Sequence, residues 1–587
     1  MNLRHYRFYL IPAVILIFLA SCSEGKIRTI TILATTDVHG VILPYDFIEK
    51  KDIDVSLAGV YTYVQKARKE NEAVIVLDNG DNLQGQPEVY YYNFIDTVSP
   101  HLNAEAMNLI GYDAASVGNH DIEAGHSVYD RLAKKYNFPL LAANAVDRST
   151  GNPYFKPYII LEKNGIRIAV LGLITPSVPS WLPPELYSGI EFRDLVETAG
   201  KWIPLIKKEK PDLIVGLFHS GWDEEGDNET LAGSHNEIGS GSVARQVPGF
   251  DIILCGHNHN VVNKKIVNFA GDTVLVMEGG SRSEHLMRAD IKFSGLRGGH
   301  RYQKAIKGNI IDVKDYEADP DFTARFEGQK RTLNEYVDKT IATFKAPVSS
   351  RDSYFGPSAF VDLIHKIQLD ITHADISFAA PLSFDVKIPA GPVTTGDMFK
   401  LYRFENMLYT MSMTGEEIKN YLEFSYSDWL NTMKGPGDFL LKFRLDKKGN
   451  PELVKGKAWL KNQPYNFDSA AGINYTVDVS KPEGKMVTIK SLSNGKPFEM
   501  DKTYLVAVNS YRANGGGGHF TDGAGINRDE LAKRLKNSTD KDLRYYIMKY
   551  LESAKTIKPE TLDNWKIIPE KWVNAAKSRD YQLLFGK

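Results

Sequence analysis

Cysteine is almost absent: Cys22 and Cys255 are the two in a chain of 587 residues. A disulfide scaffold is thereby excluded, as is a structural zinc site built from several thiolates. An excess of either charge is also missing, with 71 Lys and Arg against 73 Asp and Glu and a net charge of −2. Nothing is basic enough to track a nucleic acid polymer, and the mixed acidic and basic stretches read as solvated faces. Long apolar runs are confined to Phe8–Ala20, which is shorter than a comfortable membrane span. There is no internal repeat, and low-complexity sequence is limited to Gly515–Gly518. These absences leave a globular composition, 43% hydrophobic and 25% charged. The chain is too long for one ordinary domain, so two sizeable cores are expected.

What is present is a set of short apolar runs, each followed closely by Asp, His or Asn. Ile30–Leu33 precedes Asp37-x-His39, and Ala73–Leu77 runs into Asp78-Asn79-Gly80-Asp81. Ala114–Val117 leads to Gly118-Asn119-His120-Asp121, and Leu213–Phe218 ends at His219. Ile252–Cys255 closes on Gly256-His257-Asn258-His259. Runs this short and apolar suit strands buried on both faces. In open α/β sheets, function collects beyond the carboxyl ends of the strands. Taken singly, Asp-x-His is usually a turn, and Asn and Gly mark turns too. Five such loops in one chain are hard to explain by packing.

Seven side chains are therefore candidate ligands: Asp37, His39, Asp81, Asn119, His219, His257 and His259. Imidazoles with oxygen donors and no thiolate suit divalent zinc, manganese, iron or cobalt, whereas calcium would take an all-oxygen shell. Seven groups exceed what one catalytic ion with an open position uses. Two divalent ions sharing a bridging carboxylate use them well, and such a pair clamps the attacking and leaving oxygens of a phosphoryl transfer. Cys255 ends its apolar run and reads as a small buried hydrophobe rather than a ligand or nucleophile.

The ordered set Asp-x-His, Gly-Asp, Gly-Asn-His-Asp, His and Gly-His-x-His resembles the calcineurin-like metallophosphoesterases. The C-terminal half narrows this to the bacterial 5′-nucleotidase and 2′,3′-cyclic phosphodiesterase family, over nearly the whole chain from Lys26 onward. The resemblance implies an α/β fold, with a four-layer α/β/β/α domain over residues 26–318 holding the metals. An α/β nucleotide-binding domain would occupy residues 348–587. Between them, Asp319-Pro320 supplies a helix cap and first turn. Phe322, Phe326, Leu333, Val337, Ile341 and Phe344 fit one helical face, so a single linking helix over 319–347 is expected. By the same resemblance, Asp37, His39, Asp81 and His259 would hold one ion. Asp81, Asn119, His219 and His257 would hold the other, with Asp81 bridging. His120 matches the family's non-ligand histidine, which stabilises charge on the phosphoryl oxygens and the leaving alkoxide. Many 5′-nucleotidases carry an orienting Asp three residues later; this chain has Glu123, a carboxylate of longer reach.

Two aromatic segments match the family's base-binding positions. One is Tyr402-Arg403-Phe404-Glu405-Asn406; the other is Asn509-Ser510-Tyr511-Arg512-Ala513-Asn514, followed by four glycines. The resemblance implies that Phe404 and Tyr511 sandwich the base, with Asn406 in the same pocket, and stacking of this kind tolerates any base. Typical 5′-nucleotidases also carry Asn-x-Gly-Gly-(Ile/Leu)-Arg, whose Arg reaches the substrate. Here the stretch is Ala379-Ala380-Pro381-Leu382-Ser383-Phe384, without Arg. That segment, Gly472–Ser480 and Tyr511-Arg512-Ala513 are similar to the 2′,3′-cyclic-nucleotide 2′-phosphodiesterase/3′-nucleotidases. The activity implied is opening of 2′,3′-cyclic nucleotides and removal of the 3′-phosphate. A 5′-nucleotidase and a non-catalytic nucleotide-binding lipoprotein are the alternatives.

The expected partners are a small-molecule nucleotide and a membrane, with no nucleic acid polymer and a monomeric chain. The membrane enters through residues 1–22, where Arg4 and Arg7 precede Phe8–Ala20 in the manner of a signal sequence. Leu19-Ala20-Ser21-Cys22 looks like a bacterial lipoprotein cleavage box. It implies an exported protein, tethered to a bacterial membrane by lipid on Cys22.

Overall fold

The computed structural model describes residues 27–223, 237–294 and 303–586; Cys22 and the leader lie outside them. The N-terminal half is built on β1 (Arg28–Thr35), β2 (Val74–Asp78), β3 (Ala114–Ser116), β4 (Leu140–Leu141), β5 (Tyr158–Lys163) and β6 (Ile166–Ile174). It continues with β7 (Leu213–His219), β8 (Ile252–Cys255), β9 (Val261–Val267), β10 (Thr273–Gly279), β11 (His285–Ser294) and β12 (Gln303–Asp312). These form two six-stranded sheets, ordered β12-β11-β1-β2-β3-β4 and β9-β10-β8-β7-β6-β5. The strands preceding the candidate ligands run parallel, β1 with β2, β2 with β3, and β7 with β8. Their carboxyl ends therefore open together within each sheet.

Successive strand residues face opposite sides of a sheet, and the apolar runs divide accordingly. Ile30, Ile32, Ile75, Leu77, Val215, Leu217 and Leu254 fill the space between the two sheets. Leu33 and Val76 point the other way, into a second core shared with α1 (Leu57–Glu70) and α2 (Leu102–Ile110). After the short helix α3 (Asn119–Glu123), α4 (Leu195–Lys208) covers the outer face of the second sheet, packing on Leu171, Leu173, Ile214, Phe218 and Ile253. Cys255 is fully buried in that same outer core. The result is the four-layer α/β/β/α arrangement. Each of these aliphatic side chains contributes about 1.5–3 kcal/mol by leaving water, so the sheets that carry the ligand loops are rigid.

The single helix expected over 319–347 does not form. Asp319 caps α5 (Pro320–Arg325) by accepting from the Asp321 and Phe322 amides. Phe326, at φ −102 and ψ 10, breaks the run before α6 (Glu327–Asp338). Ile341 and Phe344 then lie on strand β13 (Thr340–Phe344), which pairs with residues 391–394. The β-branched residues Thr340, Ile341 and Thr343 favour extended backbone, and the available sheet edge overrides the helical spacing.

The C-terminal half carries β14 (Ile376–Ala379), β15 (Met407–Thr414), β16 (Ser469–Ala471), β17 (Thr503–Asn509) and β18 (Leu535–Asp542), in the order β16-β14-β17-β15-β18. One face packs on α7 (Ala359–Thr372) through Ala379, Leu408 and Ala507, the other on α8 (Gly415–Trp429) through Phe378, Met411 and Val506. Leu408 of β15 lies opposite Asn509 of the antiparallel β17. That register brings the residues before β15 and those after β17, the two aromatic segments, to one end of the sheet. Among the described residues, no helix is long and apolar enough to cross a membrane.

Candidate active site

The five ligand loops leave β1, β2, β3, β7 and β8, and their side chains converge as two groups. Asp37, His39 and His259 form one, and Asp81, His219 and His257 the other, with ligand atoms in each group within 4.8 Å of one another. His39 Nε2 lies 3.1 Å from His259 Nε2, which is 3.4 Å from Asp37 Oδ1. His219 Nε2 lies 3.1 Å from both Asp81 Oδ2 and Asn119 Oδ1, so Asn119 joins the second group. Asp81 also accepts from the His120 amide at 2.8 Å, and its charge is felt by His39 of the first group as well as by His219. Geometry places it in the second group, and its charge reaches the first.

The backbone is strained to achieve this. Asp37, His39, Asp81, His257 and His259 have φ of 49°, 49°, 60°, 87° and 59°. Left-handed backbone costs a non-glycine residue about 1–3 kcal/mol and persists only where surroundings over-determine it. Here they do. The His257 amide donates to both Asp37 carboxylate oxygens at 3.1 and 3.0 Å. The carboxylate of Asp121 accepts from the amides of Asp81, Asn82 and Gly118 at 2.9, 2.9 and 2.8 Å, tying the turn after β2 to the turn after β3. Glycine is needed at two of the motif positions because nothing larger fits. A Cβ on Gly118 would lie 2.1 Å from Asp81 Oδ1, and one on Gly256 would lie 2.1 Å from Thr36 Oγ1.

Electrostatics show what the site would hold. Asp37 and His219 are fully buried and Asp81 nearly so. Burial raises the pKa of both carboxylates, but neighbouring imidazoles outweigh it, His259 and His219 for Asp37 and His219 and His120 for Asp81, and both stay charged. Burial pushes His39 down to about 3, leaving a neutral imidazole ready to donate a lone pair. For His219, burial is overcome by Asp81, which raises it to about 9; a cation would take the place of that proton. Buried anions calling for positive charge, ringed by imidazole nitrogen and amide oxygen, fit two divalent ions.

His120 follows Asn119 on α3 and stays out of both groups. Its Nδ1 lies 2.5 Å from Glu123 Oε2. Burial alone would lower its pKa, but Asp81 and Glu123 raise it to about 10.

In the C-terminal half, Phe404 and Tyr511 are half-buried and both stand edge-on to a third ring. Tyr465 lies 6.2 Å from Phe404 at 84° and 6.5 Å from Tyr511 at 89°. Arg512 fixes this arrangement: its guanidinium pairs with Asp468 at 2.8 Å and donates to the carbonyls of Tyr465 and Gly516 at 2.6 and 2.8 Å. Asn406 is buried just before β15, its carbonyl accepting from the Leu543 amide at 2.7 Å. These rings stand on the side of the second candidate ligand group. Asn514 donates to the Trp181 carbonyl at 3.3 Å, and the Trp181 ring stacks on His257 at 5.4 Å. Glu237 lies 3.1 Å from His257 Nε2, and its charge is felt by the Tyr465 and Tyr511 hydroxyls. Sequence reasoning missed Trp181, Glu237 and Tyr465. No spacing links any of them to the ligands, although Tyr465 lies in an aromatic-rich stretch with Phe467.

Tyr511→Ala or Phe404→Ala should raise KM for nucleotides by a stacking contribution of about 1–3 kcal/mol each. Steady-state kinetics against a small phosphodiester lacking a base provides the comparison. Equal losses on both substrates would make these rings packing residues.

Residues 30–261 match the calcineurin-like phosphoesterase family, and residues 340–522 match the 5′-nucleotidase C-terminal domain. The trifunctional nucleotide phosphoesterase protein YfkN of Bacillus subtilis is 27% identical over 93% of this chain, which spans only 39% of that longer protein. A 2′,3′-cyclic-nucleotide 2′-phosphodiesterase/3′-nucleotidase of Haemophilus influenzae is 25% identical over 97% of this chain and 92% of its own length. Among solved structures, a Staphylococcus aureus protein assigned as a 5′-nucleotidase superposes with a TM-score of 0.74 at 20% identity, covering 92% of this chain and all of that one. With the paired ligand groups, these matches define a metal-dependent phosphoester hydrolase. The chain belongs to the bacterial 5′-nucleotidase and 2′,3′-cyclic-nucleotide 2′-phosphodiesterase family.

Proposed function

We propose that this hydrolase opens 2′,3′-cyclic nucleotides and then removes the 3′-phosphate, releasing nucleoside and inorganic phosphate for salvage outside the cytoplasm. The observation that carries the reading is the aromatic slot of Phe404, Tyr465 and Tyr511 opening beside His257, which suits a base and a phosphate joined by one ribose. The cyclic preference is supported by the name of the Haemophilus influenzae relative and by Ala379-Ala380-Pro381 standing where an arginine segment would be. A cyclic diester carries one negative charge where a monoester carries nearly two, and so needs less guanidinium to hold it.

In this reading Asp37, His39, Asp81 and His259 hold one divalent ion, and Asp81, Asn119, His219 and His257 the other. Zinc, manganese, iron and cobalt all suit the donors. The ions supply Lewis acidity toward the phosphoryl oxygens and a low-pKa water. Glu123 accepts from His120 Nδ1 and so turns Nε2 outward. His120 Nε2 then holds the proton that meets the phosphoryl oxygens or the leaving ribose oxygen. Phe404 and Tyr511 grip the base, and Trp181 seals the edge of His257 from solvent.

A phosphate-release panel of 2′,3′-cyclic, 3′- and 5′-nucleotides, run with and without chelator, tests the activity. Chelator should abolish release, and the cyclic and 3′-substrates should exceed 5′-nucleotides by roughly 10-fold or more. A 5′-nucleotide as best substrate would make the protein a 5′-nucleotidase, and no release from any would leave a nucleotide-binding lipoprotein. Run on cell fractions, the same assay tests the tether: Cys22→Ala should move the activity from membranes to the soluble fraction.

A further inference from the structure

Glu405, between the base-gripping Phe404 and Asn406, is a carboxylate for which the fold provides only half a set of partners. It is 8% exposed. Its Oε1 is held by Arg544 Nη1 at 2.8 Å. Its Oε2 is buried and has no hydrogen-bond partner among the described residues. Arg544 cannot swing to serve the second oxygen. It is fully buried, its Nε donates to the Tyr402 carbonyl at 2.8 Å, and its Nη2 donates to the Arg403 carbonyl. Its guanidinium is also packed over the rings of Phe399 at 4.1 Å and Tyr90 at 4.8 Å. Tyr90 belongs to the N-terminal half and donates to Asp542 at 3.0 Å, so the pair is clamped where the two halves meet. Leaving a buried carboxylate oxygen unpaired is costly, and such groups call for a partner.

Its place identifies the partner. On one side Glu405 adjoins Phe404 and the slot. On the other, its partner Arg544 packs on Tyr90 at the end of the short helix Pro87–Tyr90, and just before that helix the Gln84 carbonyl lies 3.3 Å from His39 Nδ1 at the phosphate end. What lies between a nucleotide's base and its phosphate is the sugar. We infer that Glu405 Oε2 accepts a hydrogen bond from a free ribose hydroxyl, the 2′-hydroxyl in a nucleoside monophosphate, and makes the site selective for ribonucleotides. Burial pushes the Glu405 carboxyl up to about 7 against the pull of Arg544; above that pH its ionised Oε2 is an acceptor that suits a hydroxyl donor, and Arg544 offsets the charge that would otherwise repel the nearby phosphate. A 2′,3′-cyclic ester has no free 2′-hydroxyl, so this contact forms only once the ring has been opened at O2′, and it favours retention of the 3′-nucleotide for the second hydrolysis.

This rests on the reading of the chain as a nucleotide hydrolase, and the test separates the two. The experiment compares kcat/KM for adenosine 3′-phosphate and 2′-deoxyadenosine 3′-phosphate, with the 5′-phosphate pair in parallel, for the wild type and Glu405→Gln. The wild type should prefer the ribose form by about 10- to 100-fold, the effect of one hydrogen bond to a charged acceptor. In Glu405→Gln the ratio should fall toward one through loss of ribose activity, because the amide keeps an oxygen for Arg544 and places a donor where Oε2 was. Equal wild-type rates on ribose and deoxyribose substrates would overturn the inference without any variant, so it stands or falls even if Glu405→Gln does not fold. An undiminished ratio in a folded Glu405→Gln overturns it too. A change confined to adenine-against-uracil preference would assign Oε2 to the base and reject the sugar contact. No phosphate release from any nucleotide rejects the functional reading and this inference with it, whereas release without sugar discrimination rejects this inference alone.

Discussion

Asp81→Asn should reduce turnover by about 10³-fold or more, since a metal site supplies several kcal/mol of transition-state charge stabilisation. Asp81 is the carboxylate proposed to bridge the two ions. Its Oδ2 meets His219 at 3.1 Å, its Oδ1 meets the His120 amide at 2.8 Å, and its charge acts on His39 as well. Two cations a few ångströms apart repel strongly in a buried site, and a shared anion is what makes their proximity tolerable. Asparagine keeps the shape and one oxygen but loses the charge. The fold should persist, because the Asp81 amide still donates to Asp121 at 2.9 Å and its carbonyl still accepts from the His39 amide. Elemental analysis beside steady-state kinetics checks this: the variant should lose at least one of two ions per chain while melting cooperatively. Near-normal activity with two ions bound would remove Asp81 from its bridging role.

The strands and the ligand loops were legible because two constraints coincide in them. A strand between two packed layers must be apolar at nearly every position, as Leu213–Phe218 is, and the loop after it must carry the chemistry. The helix expected over 319–347 shows the limit of periodicity. Leu333 and Val337 are buried on α6 as the spacing requires, but Ile341 and Phe344 satisfy the same spacing from a strand. What decided between them was a partner strand, residues 391–394, about which the local sequence says nothing. Trp181 is invisible for a related reason: its link to the slot is made by Asn514, 333 residues away. Asp121 lay in plain view beside His120, yet its work is done through backbone amides of a different loop, which no side-chain pattern encodes. Phe404 and Tyr511 were singled out by resemblance rather than by spacing. The register that pairs Leu408 with Asn509 supplies the physical reason both come to stand beside Tyr465.

His120→Ala should separate chemistry from metal binding. The ring lies outside both ligand groups, so two ions per chain should be retained. Its centroid is 5.4 Å from that of His39, which sets the ring beside the residues that would hold the ions. With Nδ1 committed to Glu123 at 2.5 Å, Nε2 is the nitrogen free to act. Asp81 and Glu123 favour the charged ring against the cost of burial, although bound cations would offset part of the contribution from Asp81. In the proposed mechanism a ring poised this way would stabilise charge that grows on the phosphoryl oxygens and on the departing ribose oxygen. Its loss should therefore appear in kcat, by roughly 10²–10⁴-fold, with KM little changed. Glu123→Gln should give a smaller fall in the same parameter, because it removes the orienting charge but leaves the imidazole. The effect should also depend on the leaving group. An activated aryl phosphodiester departs without needing a proton and should lose less than a nucleotide, whose ribose alkoxide is a poor leaving group. Loss of metal from His120→Ala would place the residue among the ligands instead, and equal losses on aryl and ribose leaving groups would confine it to the phosphoryl oxygens.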